Sequence, residues 1–354
     1  MPLTEHSATY SDPTFRTPKW RPPHMTSKGQ PSCVKEKLAS TTIMCGPIIF
    51  AAGPMPTKTF THRSNGGISA SNSKILACEY GFYKMSPVSE AEEQSLLTWI
   101  SAFDAELQPI HRSLLAKVME VSCAYQAYGD ADQPRGQEML AFNLMENLHT
   151  RFEDAGRRAL DEIRLGNYSY LSSSLKAAEG FHSYIGQQMT RTNQWKKNAI
   201  STARVASQAL CDLVEKHWWL MSFMLGANVG VKLSMTAISG HFVILENQTN
   251  TPFVTSDNPV INVHPSALAN ESEDNSLRYS DVYFPISPRV AYIVSQSDTY
   301  GRGIRQASEG LVRRLNSEMR RRCDKTLFAD SREMIKATKQ PSPFNHDALA
   351  RDLL

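Results

Sequence analysis

The sequence predicts an α+β protein, with a helical layer from about 86 to 230, a small antiparallel sheet from about 240 to 295 and a closing helix. Apolar residues in the first range recur every three or four positions, which is the period of an amphipathic helix. After 240 they form short runs rich in β-branched and aromatic residues, which favour strands. Helices and strands that occupy separate parts of a chain are typical of α+β folds rather than of wound parallel sheets.

Composition excludes several classes of protein. The 354 residues carry a formal net charge of +3, which argues against a chain that binds nucleic acid over its whole surface. The most apolar run, Trp218–Val231, is shorter than the about 20 residues that span a membrane, so it predicts a buried helix and no membrane contact. The six cysteines lack C-x-x-C spacing and the first 30 residues lack a signal-peptide pattern, which predicts a cytoplasmic protein with reduced thiols.

The chain is expected to contain one domain. Residues 1–65 are rich in proline and show no lasting periodicity, which predicts a poorly ordered arm. The periodic segments lie within 66–330, the predicted single α+β domain, and 331–354 are expected to be a tail.

The first helix of the layer begins at a capping box. Ser89 and Glu92 have the spacing of this motif, and an apolar stripe runs on to Leu114, with a kink expected at Pro109. Three further helices are predicted, at Met139–Leu165, Tyr170–Met189 and Ala199–Leu225. Gly226 and Gly230 are expected to mark the end of the last one.

The strands follow the helices. His241–Glu246 and Phe253–Ser256 flank a polar turn, which predicts a hairpin. Val282–Ser295 is a third β region, and its prolines, Pro285 and Pro288, restrict it to a sheet edge or a bulge. The apolar spacing of Gly303–Cys323 then predicts the closing helix.

The stretch TSDNPV, Thr255–Val260, is the main candidate site. Pro259 disfavours the α region for Asn258, so the sequence predicts a turn that holds Asp257 at the end of a buried strand. Carboxylate and amide oxygens are ligands of hard cations, so Asp257 could bind a divalent metal ion. Alternatively, it could form an Asx-turn with nearby backbone donors.

Other polar residues could complete such a site. His241 opens the strand that is predicted to pair with the strand of Asp257, so His241, Asp257 and Asn258 are the candidate catalytic residues. Arg191 could pair with Asp257 or hold a phosphate in a bidentate contact, although an arginine at a helix C-terminus also interacts favourably with the helix dipole. The candidate substrate-binding residues are Gln188, Arg191, Thr192 and Ser256.

A basic segment gives a second candidate site. Residues 302–325 contain eight arginines and lysines against three acids, and they are predicted to form one helix. Such a helix would suit the backbone of RNA or DNA. Alternatively, the charges only solvate an exposed helix face.

The motifs together resemble a known family. The string FVTSDNPV follows a strand that ends in LEN and precedes YFPISPRVAYIV, as in the DUF4238 family. SKILACEYGFYK, QQMTRT at 187–192 and LNSEMRRRCDKTLFA at 315–329 agree in order, and the resemblance covers roughly 72–330. The family's N-terminal segment of the HHYVPQ type is not found here. The resemblance implies a mostly bacterial group with no assigned function, and it implies no chemistry.

Two hypotheses of function follow. The preferred one is a non-catalytic binding or interaction protein in which the TSDNPV turn is structural. The alternative is a metal-dependent, nuclease-like enzyme that cleaves phosphodiesters with Asp257. An enzyme would need Asp257 to be reachable by solvent and to lie near a second acid or a histidine.

Overall fold

A computed structural model describes residues 59–63, 68–71, 84–131, 133–266, 280–297 and 299–338. The described helices are α1 Glu90–Ile100, α2 Gln108–Asp130, α3 Pro134–Arg164, α4 Tyr170–Ser173, α5 Leu175–Thr190, α6 Asn193–Ala206, α7 Gln208–Ile238, α8 Glu309–Arg321 and α9 Arg332–Ala337. The described strands are β1 Thr59–Arg63, β2 Ile68–Ser71, β3 Phe242–Glu246, β4 Thr255–Ser256, β5 Ile261–Asn262, β6 Asp281–Ser287, β7 Val290–Ser295, β8 Gly303–Gln306 and β9 Thr326–Ala329. The predicted α+β class is confirmed.

A five-stranded sheet lies between the helical layer and a second, four-stranded sheet. The strand order is β5-β6-β7-β3-β8 in the first sheet and β2-β1-β9-β4 in the second. Successive side chains of a strand point to opposite faces. Ile244 packs with α5 and α7, whereas its neighbours Val243 and Leu245 pack with α8 and the second sheet. The sheet is therefore covered on both faces, which explains its nearly continuous apolar strands.

The predicted hairpin at 241–256 is wrong. β3 pairs antiparallel with β7 and parallel with β8, so the five-stranded sheet is mixed rather than antiparallel. β4 pairs with β9 in the other sheet. The side-chain amide of Asn247 donates to the carbonyls of Thr251 and Pro288, at 2.8 and 3.2 Å. These bonds hold the chain in a turn that leads it out of the first sheet.

The first predicted helix is two helices. The capping box is confirmed, because Ser89 and Glu92 each accept a hydrogen bond from the other's backbone N–H. α1 ends at Ile100, and α2 begins at Gln108 with Pro109 in its first turn. A proline is well tolerated there because the first amides of a helix have no intrahelical partner. Pro109 therefore helps to start a helix rather than kinking one.

Gly226 and Gly230 lie inside α7 and do not end it. A Cβ on Gly230 would lie 2.6 Å from the Cα of Ser183, and one on Gly226 would lie 2.7 Å from the Oγ1 of Thr190. On α5, Gly186 lies against the backbone of Gly226 and Gly230 in the same contact. The glycines therefore let the backbones of α5 and α7 approach closely, which is a reason for glycine unrelated to helix termination.

The predicted helix at 303–323 is wrong in its first part. Gly303–Gln306 form β8, and α8 begins only after Ser308, whose Oγ accepts a hydrogen bond from the N–H of Leu311. Gly303 has a φ of 72°, which is not compatible with a right-handed helix. Ser308 therefore marks the boundary between β8 and α8. The apolar residues on its two sides happen to follow one helical spacing.

The prediction of a bulge at Pro285 is confirmed. The register of β6 on β7 shifts between Pro285 and Ser287. β5 pairs with β6 only at Tyr283 and Val282, so the described chain leaves the outer side of β6 open at Pro285. A proline can occupy this position because no ladder bond requires its missing N–H.

The predicted domain limits stay predictions. Most of the 1–65 arm lies outside the described residues, but Thr59–Arg63 form β1, which pairs with β2 and β9. In the predicted 331–354 tail, Arg332–Ala337 form α9 and 339–354 lie outside the described residues. Within the described chain, α7 alone has the length and apolar composition to cross a membrane, and 56% of its apolar window is buried inside the protein.

Ile244→Ala is expected to lower the free energy of unfolding by about 2–5 kcal/mol, because it leaves a cavity at an interior strand of the five-stranded sheet. Ile304 is the matched control, since it pairs with Ile244 in register but is 55% exposed. Urea unfolding should show a loss below about 0.5 kcal/mol for Ile304→Ala. Equal losses for the two variants would contradict the assigned burial of β3.

Candidate functional site

The carboxylate of Asp257 fixes a turn far along the chain. Asp257 follows β4, and the backbone N–H groups of Asp324, Lys325 and Thr326 donate to its two oxygens at 3.0, 2.7 and 2.9 Å. The thiol of Cys323 donates to Oδ1 at 3.5 Å. Asp257 therefore does not act through the predicted local Asx-turn. It holds the turn that joins α8 to β9.

Its two motif neighbours strengthen the same connection. Ser256 Oγ accepts a hydrogen bond from the N–H of Asn258 at 3.1 Å, which fixes the local turn. The side-chain amide of Asn258 donates to the carbonyl of Arg322, the C-cap of α8, at 3.0 Å. Ser256 and Asn258 are both buried, so neither side chain is open to a ligand at the surface. Their roles in binding and catalysis stay predictions.

Asn316 of α8 ties the helix to the segment before the motif. Its Oδ1 accepts from the N–H of Val254 at 2.9 Å, and its Nδ2 donates to the carbonyl of Pro252 at 2.8 Å. Asn316 is fully buried beside Leu315, so the amide satisfies backbone groups that water cannot reach. Asn316 was not predicted from the sequence, although a polar residue next to an apolar helical stripe was a usable signal.

Burial changes the ionisation of the two side chains at this turn. Burial raises the pKa of the Asp257 carboxyl above its ordinary value, while the backbone amides of 324–326 act in the opposite direction. Burial, together with the nearby Asp257 carboxylate, raises the pKa of the Cys323 thiol. A thiol that stays protonated is a poor nucleophile and a poor metal ligand. Cys323 therefore serves here as a hydrogen-bond donor.

The surroundings of Asp257 offer few free ligands. Both of its oxygens already accept hydrogen bonds, and Oδ1 of the neighbouring Asp324 pairs with Lys197 of α6. In the described part of the chain, no group of three histidine, cysteine or acidic residues is placed to hold a metal ion. A divalent metal at Asp257 stays a prediction.

The structure places the candidate substrate-binding residues of QQMTRT in the helical layer. Arg191 ends α5 and forms an ion pair with Glu153 of α3, with 2.7 Å between Nη1 and Oε1. Gln188 is buried in the body of α5, and Thr192 is the N-cap of α6, where its Oγ1 accepts from the N–H of Trp195 at 3.3 Å. Arg191 thus has a carboxylate partner other than the predicted Asp257, and the binding roles of these residues stay predictions.

Two further buried residues beside Arg191 were missed by the sequence analysis. Burial, reinforced by the Arg191 charge, lowers the pKa of His149 to about 3. Burial also raises the pKa of the Tyr184 hydroxyl. Both side chains are therefore neutral near pH 7. They lie on α3 and α5, and only the packing of those helices brings them together, so no local pattern pointed to them.

His241 and Asp257 are not parts of one hairpin. His241 immediately precedes β3 in the five-stranded sheet, whereas Asp257 follows β4 in the four-stranded sheet. Nδ1 of His241 lies 3.4 Å from Nη2 of Arg302. The hairpin that would have paired their strands does not form, and the catalytic role of His241 stays a prediction.

The arginines of α8 occupy the face opposite the core. Residues of an α-helix advance by about 100° each, so positions 313, 314, 320 and 321 fall on one side. The opposite side carries the buried Leu311, Val312, Leu315 and Met319. Arg313 pairs with Glu309 at 3.0 Å and Arg321 pairs with Glu318 at 2.7 Å. The four arginines therefore share one side of α8, where Arg313 and Arg321 are exposed and Arg314 and Arg320 are half-buried. Arg302 lies beside β8 and Arg305 lies on it.

The free energy of unfolding is expected to fall as the pH drops from 7 to 4. Burial lowers the pKa of His149 to about 3 and that of His182 to about 4, whereas an unfolded histidine titrates near 6.5. Below about pH 6.5 the unfolded chain thus binds more protons, and stability present at neutral pH is lost by about 1.4 kcal/mol per pH unit for each histidine.

Urea unfolding between pH 7 and 4 measures this dependence. His149→Gln, which removes one buried imidazole, should reduce the slope by about 1.4 kcal/mol per pH unit between pH 6 and 4. An unchanged slope in the variant would show that His149 is protonated in the folded protein.

Comparison with protein families gives one match. The sequence model of a family described as "Protein of unknown function (DUF4238)" matches residues 59–333, which is well over half of the chain. Neither the curated proteins nor the solved structures contain a significant match. The match includes every segment that Asp257, Asn258 and Asn316 connect, from β4 to β9. The chain therefore belongs to the DUF4238 family of proteins of unknown function.

Proposed function

We propose that this protein is a non-catalytic binding protein that holds a nucleic-acid backbone against the outward face of α8. The observation that carries the proposal is the arrangement of four arginines on one side of that helix, of which Arg313 and Arg321 are exposed and Arg314 and Arg320 are half-buried. They form two adjacent pairs separated by seven residues, which is about 10 Å along a helix axis. Guanidinium groups bind phosphate oxygens in a bidentate manner, and spaced pairs of them suit a chain of phosphates.

The local charge supports an anionic partner. Arg313 and Arg321 are exposed, and each has one glutamate neighbour on the same helix. The exposed Arg313–Glu309 pair contributes about 0–1 kcal/mol, so a phosphate can replace Glu309 at little cost. Arg321 instead donates two hydrogen bonds to the buried Glu318 and keeps that partner. α8 contains four arginines and two glutamates, a net charge of +2, and Lys325 lies just beyond its end.

The TSDNPV motif supports this function by positioning α8. Asn258 donates to the carbonyl of Arg322 at the C-cap of the helix, and Asp257 accepts from the backbone amides of residues 324–326. A carboxylate already engaged by backbone donors is poorly placed to recruit a metal ion or to accept a substrate proton. This engagement favours the non-catalytic hypothesis over the nuclease-like one.

The same proposal places the protein in a reducing cytoplasm, and the family resemblance suggests that this is the cytoplasm of a bacterium. Its support is the state of the three cysteines in the described chain. Cys123, Cys211 and Cys323 are free thiols. Free thiols persist in compartments that keep cysteine reduced.

The proposal predicts a salt-dependent affinity for oligonucleotides. Fluorescence anisotropy of a labelled single-stranded RNA should give a plot of log K against log salt with a slope of roughly −3 if four arginines contact phosphates. Arg313→Gln combined with Arg321→Gln should reduce the magnitude of that slope by about 1.4. Arg313 is exposed, but Arg321 donates two hydrogen bonds to the buried Glu318, so the melting temperature of the double variant is measured beside its affinity.

Two exposed arginines elsewhere provide the matched control. Arg157 of α3 and Arg204 of α6 have side chains that are 51% and 65% exposed, and their double replacement by glutamine removes the same charge. Equal effects of the two double variants would contradict a site on α8. Cleavage of the RNA in the presence of Mg²⁺ would contradict the non-catalytic part of the proposal and favour the nuclease-like alternative.

A further inference from the structure

β8 is the outermost described strand of the five-stranded sheet. It pairs in parallel with β3 from Val243↔Gly303 to Glu246↔Gln306, and within the described chain no strand lies on its other side. An edge strand presents backbone N–H and C=O groups that can pair with another extended chain. Backbone pairing of this kind is an established way for a sheet to bind a peptide.

The side chains of this edge are exposed and basic. Arg302, Ile304, Arg305 and Gln306 are all exposed, and the side chain of Ile304 is in register with the buried Ile244. Ile304 is 55% exposed, which is unusual for an isoleucine in a sheet whose other strands are covered on both faces. The edge therefore offers the apolar side chain of Ile304 on one face and the positive charge of Arg305 on the other, with Arg302 at its start.

Two positive-φ glycines shape the approach to the strand. Gly301 and Gly303 have φ values of 74° and 72°, and the guanidinium Nε of Arg305 donates to the carbonyl of Arg302 at 3.1 Å. A side chain at either glycine would be strained in this backbone region. The turn thus presents both arginines at the start of the edge.

The charge decides which extended chain fits this edge. A second copy of the protein would bring Arg302 and Arg305 against the same two arginines, and like charges across paired strands are unfavourable. A nucleic acid lacks the alternating amide donors and carbonyl acceptors that pair with a strand edge. An acidic peptide supplies both the amide groups and the complementary charge.

We propose that β8 is a docking edge on which an acidic peptide segment of a partner protein adds a sixth strand to the sheet. Acidic side chains of the peptide pair with Arg302 and Arg305, and an apolar one covers Ile304. This site is separate from the arginine face of α8 and does not depend on nucleic-acid binding.

The probe is a fluorescein-labelled eight-residue peptide that alternates glutamate and valine, titrated with the full chain by fluorescence anisotropy. Two matched peptides separate the contributions. One has lysine in place of glutamate, and the other is N-methylated at alternate residues, which blocks backbone pairing without changing the charge. We expect saturable binding of the first peptide and a loss of roughly tenfold or more in affinity for the other two.

Protein variants then place the site. Arg302→Gln combined with Arg305→Gln should weaken binding roughly tenfold, whereas Arg313→Gln combined with Arg321→Gln should leave peptide affinity unchanged. Equal binding of the N-methylated peptide would overturn strand pairing, and equal binding by the Arg302/Arg305 variant would overturn the location. A stable dimer in sedimentation velocity that the peptide dissociates would assign the edge to a second copy instead.

Discussion

Asp257→Ala is expected to lower the free energy of unfolding by about 3 kcal/mol, because it removes the one acceptor shared by three backbone donors. The N–H groups of Asp324, Lys325 and Thr326 all donate to this one carboxylate, and the site is largely closed to water. Urea unfolding at pH 7 measures the loss. A change below about 0.5 kcal/mol would show that the turn after α8 does not need Asp257.

Asp257→Asn separates this account from a local Asx-turn. Asparagine forms Asx-turns as readily as aspartate does, so a local role predicts little change. In the structure both carboxylate oxygens accept hydrogen bonds, and the asparagine NH₂ would face one of the donors. We therefore expect Asp257→Asn to destabilise by about 1–3 kcal/mol. Asp154→Ala is the control, because its side chain is 54% exposed and pairs only weakly with Arg157.

Gly186→Ala is expected to cost about 3 kcal/mol, because the new methyl group meets backbone atoms that cannot rotate away. A Cβ on Gly186 would overlap the carbonyl oxygen of Gly226 and lie 2.7 Å from the nitrogen of Gly230. α5 and α7 would have to separate, and their shared contact with the five-stranded sheet would loosen. Thermal and urea unfolding should both report the loss.

Gly180→Ala is the matched control in the same helix. A Cβ there would lie 3.0 Å from the methyl group of Ala155, which is a tight contact with a side chain rather than with backbone. Alanine is favoured over glycine in a helix by about 1 kcal/mol, so this variant should be nearly neutral or slightly stabilising. Similar losses at both positions would contradict the close approach of α5 and α7.

Local periodicity predicted the helical layer well. The capping box at Ser89 and the apolar stripe of Met139–Leu165 each belong to one helix, so neighbouring residues carry the signal. The predicted helices Tyr170–Met189 and Ala199–Leu225 are each two helices, because Ser174 and Ser207 are extended N-caps that interrupt them. Pro109 was ambiguous, since a proline can kink a helix or begin one. Gly226 was ambiguous for a similar reason, because close packing of helices and helix termination both favour glycine.

Strand pairing was beyond local patterns. β3 and β4 are close in sequence and have the composition of a hairpin, yet their partners are β7, β8 and β9, which come much later in the chain. β8 itself was predicted as helix because the spacing of Ile304, Ala307 and Leu311 fits a helical period across the N-cap. A short edge strand has no periodicity long enough to outweigh that coincidence.

The candidate site was predicted in its residues but not in its contacts. The TSDNPV turn was predicted as the main candidate site, and in the structure Asn258 ties it to the C-cap of α8 while Asn316 ties the preceding Val254 to the same helix. The partners of Asp257 are backbone amides of residues 324–326. Every residue other than proline has such an amide, so the sequence does not indicate which ones bind Asp257. The Glu153 partner of Arg191 depends on the packing of α3 against α5, which the sequence does not specify locally.

Amide hydrogen exchange at residues 324–326 tests most directly the claim that Asp257 holds the end of α8. The account predicts that the N–H groups of Asp324, Lys325 and Thr326 exchange slowly in the wild-type protein, although Lys325 is exposed, and that Asp257→Ala selectively releases them under conditions where it stays folded. Exchange of these amides at the rate of an unstructured loop in the wild type would contradict the account.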